Sequence, residues 1–163
     1  MRILSICLAA VLALSVGPTY GHHGWGFYAT GQPIYLRGRV TDVIWRNPHP
    51  FVTIQVSTAT MPSTFSDLPV PRELAELGFD EVLAKTQRAP SSGDWRLDLA
   101  PINRLYAWGM PREPAVGDEI IAIGFPSCSE RHVARPAIIV IDGVGVRQQS
   151  VALPAGCSGL PRG

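Results

Sequence analysis

Charge is scarce in this sequence and has no dominant sign. Asp, Glu, Lys and Arg make up 17% of the 163 residues, and the formal net charge is +1. Because the excess of positive charge is so small, we do not expect this protein to bind nucleic acid or anionic membranes by electrostatic attraction. The His-Glu-x-x-His zinc motif and the Gly-x-Ser-x-Gly nucleophile elbow are also missing. We therefore expect that the protein is not an enzyme, and that the carboxylates of Asp94, Asp98 and Asp118 are solvated.

The amino-terminal residues have the pattern of a secretory signal peptide. An uncharged apolar run, Ile3–Val16, follows Arg2 and ends at Gly17-Pro18. It is too short to span a bilayer as a mature helix, and small residues follow it at a suitable distance for cleavage. We predict a signal peptide at 1–21 and a mature domain at 22–163, without a later membrane span. An uncleaved membrane anchor is the alternative.

Cysteine is rare, with three residues in the chain, and Cys7 lies within the leader. The two others, Cys128 and Cys157, form an even pair of the kind found in oxidising compartments, so we predict a disulfide between them. A thiol–metal site is the alternative, but cysteines so far apart match no common zinc spacing. Leader and cysteine pair together predict a periplasmic or secreted protein of a Gram-negative bacterium.

Alternation of apolar and polar residues predicts a mainly β fold. The predicted strands are Ile34–Arg46, Phe51–Ser57, Asp94–Ala100, Glu119–Phe125, Ala137–Ile141 and Val144–Val146. In the first strand the apolar phase slips by one residue at Thr41-Asp42, which predicts a β-bulge and a sharp bend. A short helix, Ile102–Trp108, is predicted after Pro101 because proline favours the first turn of a helix.

Five or six curved strands with one short helix predict a small barrel of the oligonucleotide/oligosaccharide-binding (OB) type. A β-sandwich is the alternative. The long connection 58–93 contains four prolines and a helical pattern broken at Gly78. We interpret this connection as an insertion with one or two small helices.

Several short motifs follow one another in a characteristic order. They are His22-His23-Gly24-Trp25, Gly38-Arg39-Val40, Trp45-Arg46-Asn47-Pro48-His49, Trp95-Arg96-Leu97, Trp108-Gly109 and Gly117-Asp118. Together they resemble domain-of-unknown-function family 6152, small exported bacterial proteins with a His-His mature start and a Trp-x-Asn-Pro-His turn. The resemblance covers 21–143 and implies an exported barrel-like domain, but no reaction. The insertion and the cysteine-containing tail depart from the family pattern.

Three of the four histidines, His22, His23 and His49, lie in two of these motifs. After cleavage at Gly21, the free amine and Nδ1 of His22 can chelate a metal ion, and His49 can supply a third nitrogen, with His23 replacing or joining it. After cleavage at Tyr20, the sequence Gly-His-His can bind Cu(II) or Ni(II) in a square plane. Imidazole suits copper, so we predict a copper carrier or accessory protein. A histidine-brace oxidoreductase is the enzymatic alternative. The simplest alternative is that His49 only stabilises the turn in which it lies.

A metal-free binding module is the competing class. Barrels of this type bind ligands on a sheet face and its loops, and arginine with aromatic residues suits an anionic or sugar ligand or a partner protein. The predicted lining residues are Tyr35, Arg37, Arg39 and Gln55, with Trp45 or Trp95 as a stacking surface. In the simpler alternative the arginines are solvated and both tryptophans are core residues. His132 is expected to be a solvated surface residue.

Overall fold

A computed structural model of the chain describes residues 24–57 and 61–157. The predicted signal peptide 1–21 and the predicted ligands His22 and His23 lie outside these ranges. Within them, no helix is long and apolar enough to cross a membrane.

The described residues form seven strands and three short α-helices. The strands are β1 (Ile34–Ile44), β2 (Phe51–Val56), β3 (Gln87–Arg88), β4 (Gly93–Asp98), β5 (Glu119–Pro126), β6 (Val133–Ile141) and β7 (Val144–Arg147). The helices are α1 (Arg72–Ala75), α2 (Phe79–Lys85) and α3 (Ile102–Ala107), and a 3-10 turn spans Trp25–Phe27.

Five of the strands close into a barrel. The order is β2-β4-β6-β5-β1, and β1 pairs in turn with β2, which completes the ring. The β4–β6 pair is parallel and the other four are antiparallel. With α3 between β4 and β5, this confirms the OB-like barrel and excludes the β-sandwich. The short β3 lies alongside β1, and β7 pairs with β6.

The long strand β1 bends so that it serves two neighbours. Ile34–Arg39 pairs with β5, whereas Gly38–Ile44 pairs with β2. The register with β2 shifts between Val40 and Asp42, which confirms the predicted bulge. At Gly38 a Cβ would collide with the backbone carbonyl of Gln55, so glycine is required where the two strands approach most closely.

Two hydrophobic clusters lie on opposite faces of the barrel wall. The inner cluster fills the barrel and includes Leu36, Ile54, Trp95 and Leu105. The outer cluster lies under the insertion, where Leu74, Phe79, Phe125 and Ile138 are fully buried. β5 contributes to both clusters, which explains why its sequence is nearly all apolar. Burying side chains of this size stabilises the fold by about 1.5–3 kcal/mol each.

The start of β6 differs from the prediction. The strand begins at Val133, four residues before the predicted Ala137, and it includes Pro136. Pro136 lies opposite Gly124, where the β5–β6 register shifts. Strands accommodate proline at such irregularities because no regular ladder hydrogen bond is required there, so proline did not mark the strand end.

Candidate functional site

The amino-terminal arm, residues 24–33, lies along the end of β5. The Ala29 amide donates to the carbonyl of Pro126 at 2.9 Å, and Tyr28 forms a bridge with Ser127. The Cys128 amide donates to the carbonyl of Phe27 at 3.0 Å. Backbone hydrogen bonds therefore fix the arm against the barrel.

The end of the carboxyl-terminal tail, residues 154–157, lies against the arm. Cys128 and Cys157 form the predicted disulfide, with their Cα atoms 6.3 Å apart. The hydroxyl of Thr30 donates to the carbonyl of Pro154 at 3.0 Å and accepts from the amide of Gly156 at 2.8 Å. The arm is thus held between barrel and tail.

A cavity of about 540 Å³ opens beside the arm, and we call it the arm pocket. Five segments line it: the arm, the β1–β2 turn with the start of β2, the end of β4, the loop after β5, and β6. Charged and polar groups of the lining are Tyr28, His49, Arg96, Asp98, Glu130 and Arg135. It lies at the β1–β2 and β5–β6 connections, which are the loops with which OB barrels bind ligands.

A hydrogen-bonded network centres on Asp98. The Tyr28 hydroxyl donates to Asp98 Oδ2 at 2.8 Å, and Arg96 Nε donates to Oδ1 at 2.9 Å. Arg96 Nη2 also reaches Glu130 at 3.2 Å. Burial, followed by the charge of Asp98, raises the pKa of Tyr28 above its ordinary value, so this phenol remains a proton donor. The prediction that Asp98 is merely solvated is wrong, because its side chain is only 24% exposed and accepts hydrogen bonds from the neighbouring Arg96 and the distant Tyr28.

Arg135 forms one wall beside this network. Its guanidinium lies 4.5 Å from the Trp25 ring centroid and 5.9 Å from that of Tyr28. Burial lowers the pKa of Arg135, while the charge of Asp98 acts in the opposite direction. Arginine stays protonated in proteins, so the cation contributes a fixed positive charge.

His49 brings the predicted turn into the pocket. It is half-buried and follows a cis Asn47–Pro48 peptide bond. Phe27 lines the same pocket, and its amide donates to the carbonyl of Gly24 at 3.4 Å. Gly24, the first described residue of the arm, therefore lies one turn before Phe27, whose side chain lines the same cavity as His49.

The described residues do not by themselves form a cluster of metal ligands. Between residues 24 and 57 and between 61 and 157, no three His, Cys, Asp or Glu side chains are grouped so that they could hold a metal ion. A site made of His22, His23 and His49 would take two of its ligands from outside these ranges, so the copper hypothesis stays a prediction.

One family model matches the sequence. It covers residues 10–67 and describes a family of unknown function, DUF6152. The match spans 58 of the 163 residues, so the similarity to DUF6152 is confined to this amino-terminal segment. No curated protein matches the sequence.

The DUF6152 segment includes both histidine motifs. It contains the arm, β1, the turn with His49, and β2, all of which end before residue 67. The pocket residues Arg96, Asp98 and Arg135 lie beyond the match. Sequence reasoning missed them because they meet the arm only through barrel closure, and the one signal was the position of Asp98 at the end of a predicted strand.

The second predicted surface, on the outside of the barrel, is a groove of about 360 Å³ that we call the arginine groove. Its lining includes the four predicted residues Tyr35, Arg37, Arg39 and Gln55. The tryptophans do not line this groove. Trp95 is 2% exposed in the barrel core, and Trp45 packs partly buried against that core. The prediction of a tryptophan stacking surface there is therefore wrong, and the alternative that both are core residues is closer.

His132 lies at the surface, as predicted, and it also makes specific contacts. The residue is exposed, but its Nε2 lies 2.7 Å from the Ser91 hydroxyl and its ring centroid 5.1 Å from that of Trp95. Its φ of 54° lies in the left-handed region, which is uncommon for residues other than glycine but is adopted more often by Asn, Asp and His. His132 therefore helps to fix the loop before β6.

Proposed function

We propose that this protein is a small exported binding protein whose site is the arm pocket. We propose copper as its ligand, held by His49 together with His22, His23 or both. The observation that supports this assignment is the course of the arm: Phe27 lines the cavity together with His49, and Gly24 lies one turn before Phe27.

Covalent geometry limits how far the other histidines can be from this place. Consecutive Cα atoms are about 3.8 Å apart, so the Cα of His22 is at most about 7.6 Å from that of Gly24. The proposal requires the amine and imidazole of a mature chain starting at His22 to bind the same ion as His49.

The charges of the pocket are compatible with a cation. Two guanidinium groups, of Arg96 and Arg135, are offset by two carboxylates, of Asp98 and Glu130. An imidazole and a chelating amine generally bind Cu(II) more tightly than they bind other divalent ions. The protein would hold copper through imidazole ligands for transfer or storage, and we assign no catalytic residue.

The disulfide supports export. Cys128 and Cys157 are joined, and disulfides persist in oxidising compartments such as the periplasm or the extracellular space. A periplasmic or secreted location also suits a protein that handles copper through nitrogen ligands rather than thiolates, because Cys128 and Cys157 are engaged in the crosslink.

The test is a Cu(II) titration by calorimetry on exported protein whose amino terminus has been determined by mass spectrometry. We expect one ion per chain for wild type and at least about tenfold weaker binding for His49→Ala, since one of three nitrogen ligands is lost. His132→Ala is the matched control and should bind as wild type. Equal affinity of His49→Ala and wild type would contradict the proposal.

A metal-free binding module is the second candidate. It is favoured by the place of the pocket, at the loops through which OB barrels hold ligands, and by its polar lining. Its ligand would be a partner protein or an anionic or sugar molecule. Equal copper affinity of His49→Ala and wild type would favour this second candidate over the copper site.

A further inference from the structure

We propose that the arginine groove is a second binding site, separate from the arm pocket. It would bind the anionic group, a carboxylate or phosphate, of a small molecule through Arg37, Arg39 and Arg88.

The strand register places these side chains on one surface. Tyr35, Arg37 and Arg39 alternate along β1 and so face the same side of the sheet. Arg39 pairs with Gln55 on β2 and with Glu119 on β5, while Tyr35 pairs with Arg88 on β3. All six residues line the groove.

The groove has more positive charge than its own acceptors neutralise. Three arginines line it against one carboxylate, that of Glu119. Arg37 Nη2 donates to both oxygens of Glu119 at 2.9 and 3.0 Å, and Arg39 Nη1 donates to the uncharged carbonyl of Gly117 at 3.0 Å. Two positive charges therefore have no carboxylate partner in the groove.

Arg88 is the residue that makes this a site rather than a solvated strand face. It is exposed, and no hydrogen-bond or ion-pair partner of its side chain lies within residues 24–57 and 61–157. Its backbone is nevertheless fixed, because the Gln87 amide donates to the carbonyl of Pro33 at 2.9 Å. The neighbours Thr86 and Ala89 are buried and anchor both sides of β3.

The floor of the groove is apolar. Val56 and Ala89 are buried there, and Met61 is half-buried. Arginine forms directed, often paired hydrogen bonds with carboxylate and phosphate oxygens, and an apolar floor suits a ligand with a short hydrocarbon part. The insertion supplies Arg88, Ala89 and Met61, so the proposal also gives the insertion a function.

The two sites are independent. The arginine groove and the arm pocket have no lining residue in common. Loss of copper binding in His49→Ala would therefore leave anion binding unchanged, and the reverse holds for a groove variant. Each proposal can fail without the other.

The test is an NMR titration of the full mature protein with two probes, inorganic phosphate and hexanoate, each followed through the Arg side-chain Nε–H signals. We expect saturable shifts of groove signals with at least one probe. Saturation by hexanoate alone identifies a carboxylate ligand with an apolar part, and saturation by phosphate alone identifies a phosphate ligand. Saturation by both supports a general anion site.

Two substitutions decide whether Arg88 takes part. Arg88→Gln should weaken binding about tenfold, the usual effect of losing a charged hydrogen bond. Arg72→Gln, in the exposed Arg72–Glu76 pair of α1, is the control and should bind as wild type. No saturable shift at millimolar concentrations of either probe, or equal affinity of Arg88→Gln and wild type with unchanged melting temperature, would overturn the proposal.

Discussion

The arm pocket and the arginine groove are both lined by charged side chains, but they use charge differently. In the pocket, Asp98 and Arg96 are paired and only 24% and 35% exposed. In the groove, Arg37 and Glu119 are about half exposed, at 50% and 51%, and arginine is in excess. Partly buried pairs hold neighbouring side chains in position, whereas exposed pairs contribute at most about 1 kcal/mol to stability. The comparison therefore assigns a positioning role to the pocket charges and a ligand-attracting role to the groove charges.

The largest effect on the free energy of unfolding should come from the packing of the insertion, which supplies part of the arginine groove, against the barrel. Phe79→Ala removes a fully buried ring between the insertion and the barrel, and should cost about 4 kcal/mol. Hydrogen exchange of α2 and β3 should rise more than that of the arm. Equal exchange rates in wild type and variant would contradict the idea that this ring fixes the insertion on the barrel.

The disulfide should have the next largest effect, and on the pocket side. Replacing Cys128 and Cys157 by Ser should lower the free energy of unfolding by about 3 kcal/mol, because the crosslink restricts the unfolded chain. Urea unfolding with and without reductant measures this, and the double variant should not respond to reductant. An unchanged midpoint would mean that the tail does not stabilise the folded protein.

A smaller effect, on the pH dependence of stability, is expected from removing the Tyr28 hydroxyl, which donates to Asp98. Burial raises the pKa of Tyr28 in the folded state, so the protonated phenol is favoured by folding. Its contribution is complete below pH 10, the ordinary pKa of tyrosine, and is lost as the pH rises through the folded-state value. Urea midpoints above pH 10 should therefore fall less steeply for Tyr28→Phe than for wild type. Tyr35→Phe is the comparison variant, because the pKa of Tyr35 is raised by burial too.

The smallest effect should be that of salt on the two regions. Raising NaCl should weaken anion binding in the groove several-fold, because exposed charges are screened within about 10 Å at 0.1 M salt. The unfolding midpoint should change little, since the pocket pairs are partly buried. Anion binding that does not depend on salt would place the ligand elsewhere.

The fold was largely predictable because its signals are local. Alternation along β1 and β5 predicted strands, and the phase slip at Thr41 predicted the bulge that bends β1 towards β2. The start of β6 was not predictable from local rules, because Pro136 is accommodated by an irregularity opposite Gly124 on another strand.

The candidate sites were less predictable because they depend on barrel closure. Tyr28 and Asp98 are 70 residues apart in sequence, and no periodicity within either segment indicates that they meet. Arg88 was missed because it lies in the irregular insertion. The groove residues of β1 were predictable, because residues that alternate along one strand share a face.

The most direct test of the central claim is to count the imidazoles bound to copper. Pulsed EPR on the Cu(II)-loaded exported protein should show that His49→Ala has one fewer coordinated imidazole than wild type, whereas His132→Ala has the same number. An unchanged number in His49→Ala would contradict the assignment of the arm pocket as the copper site.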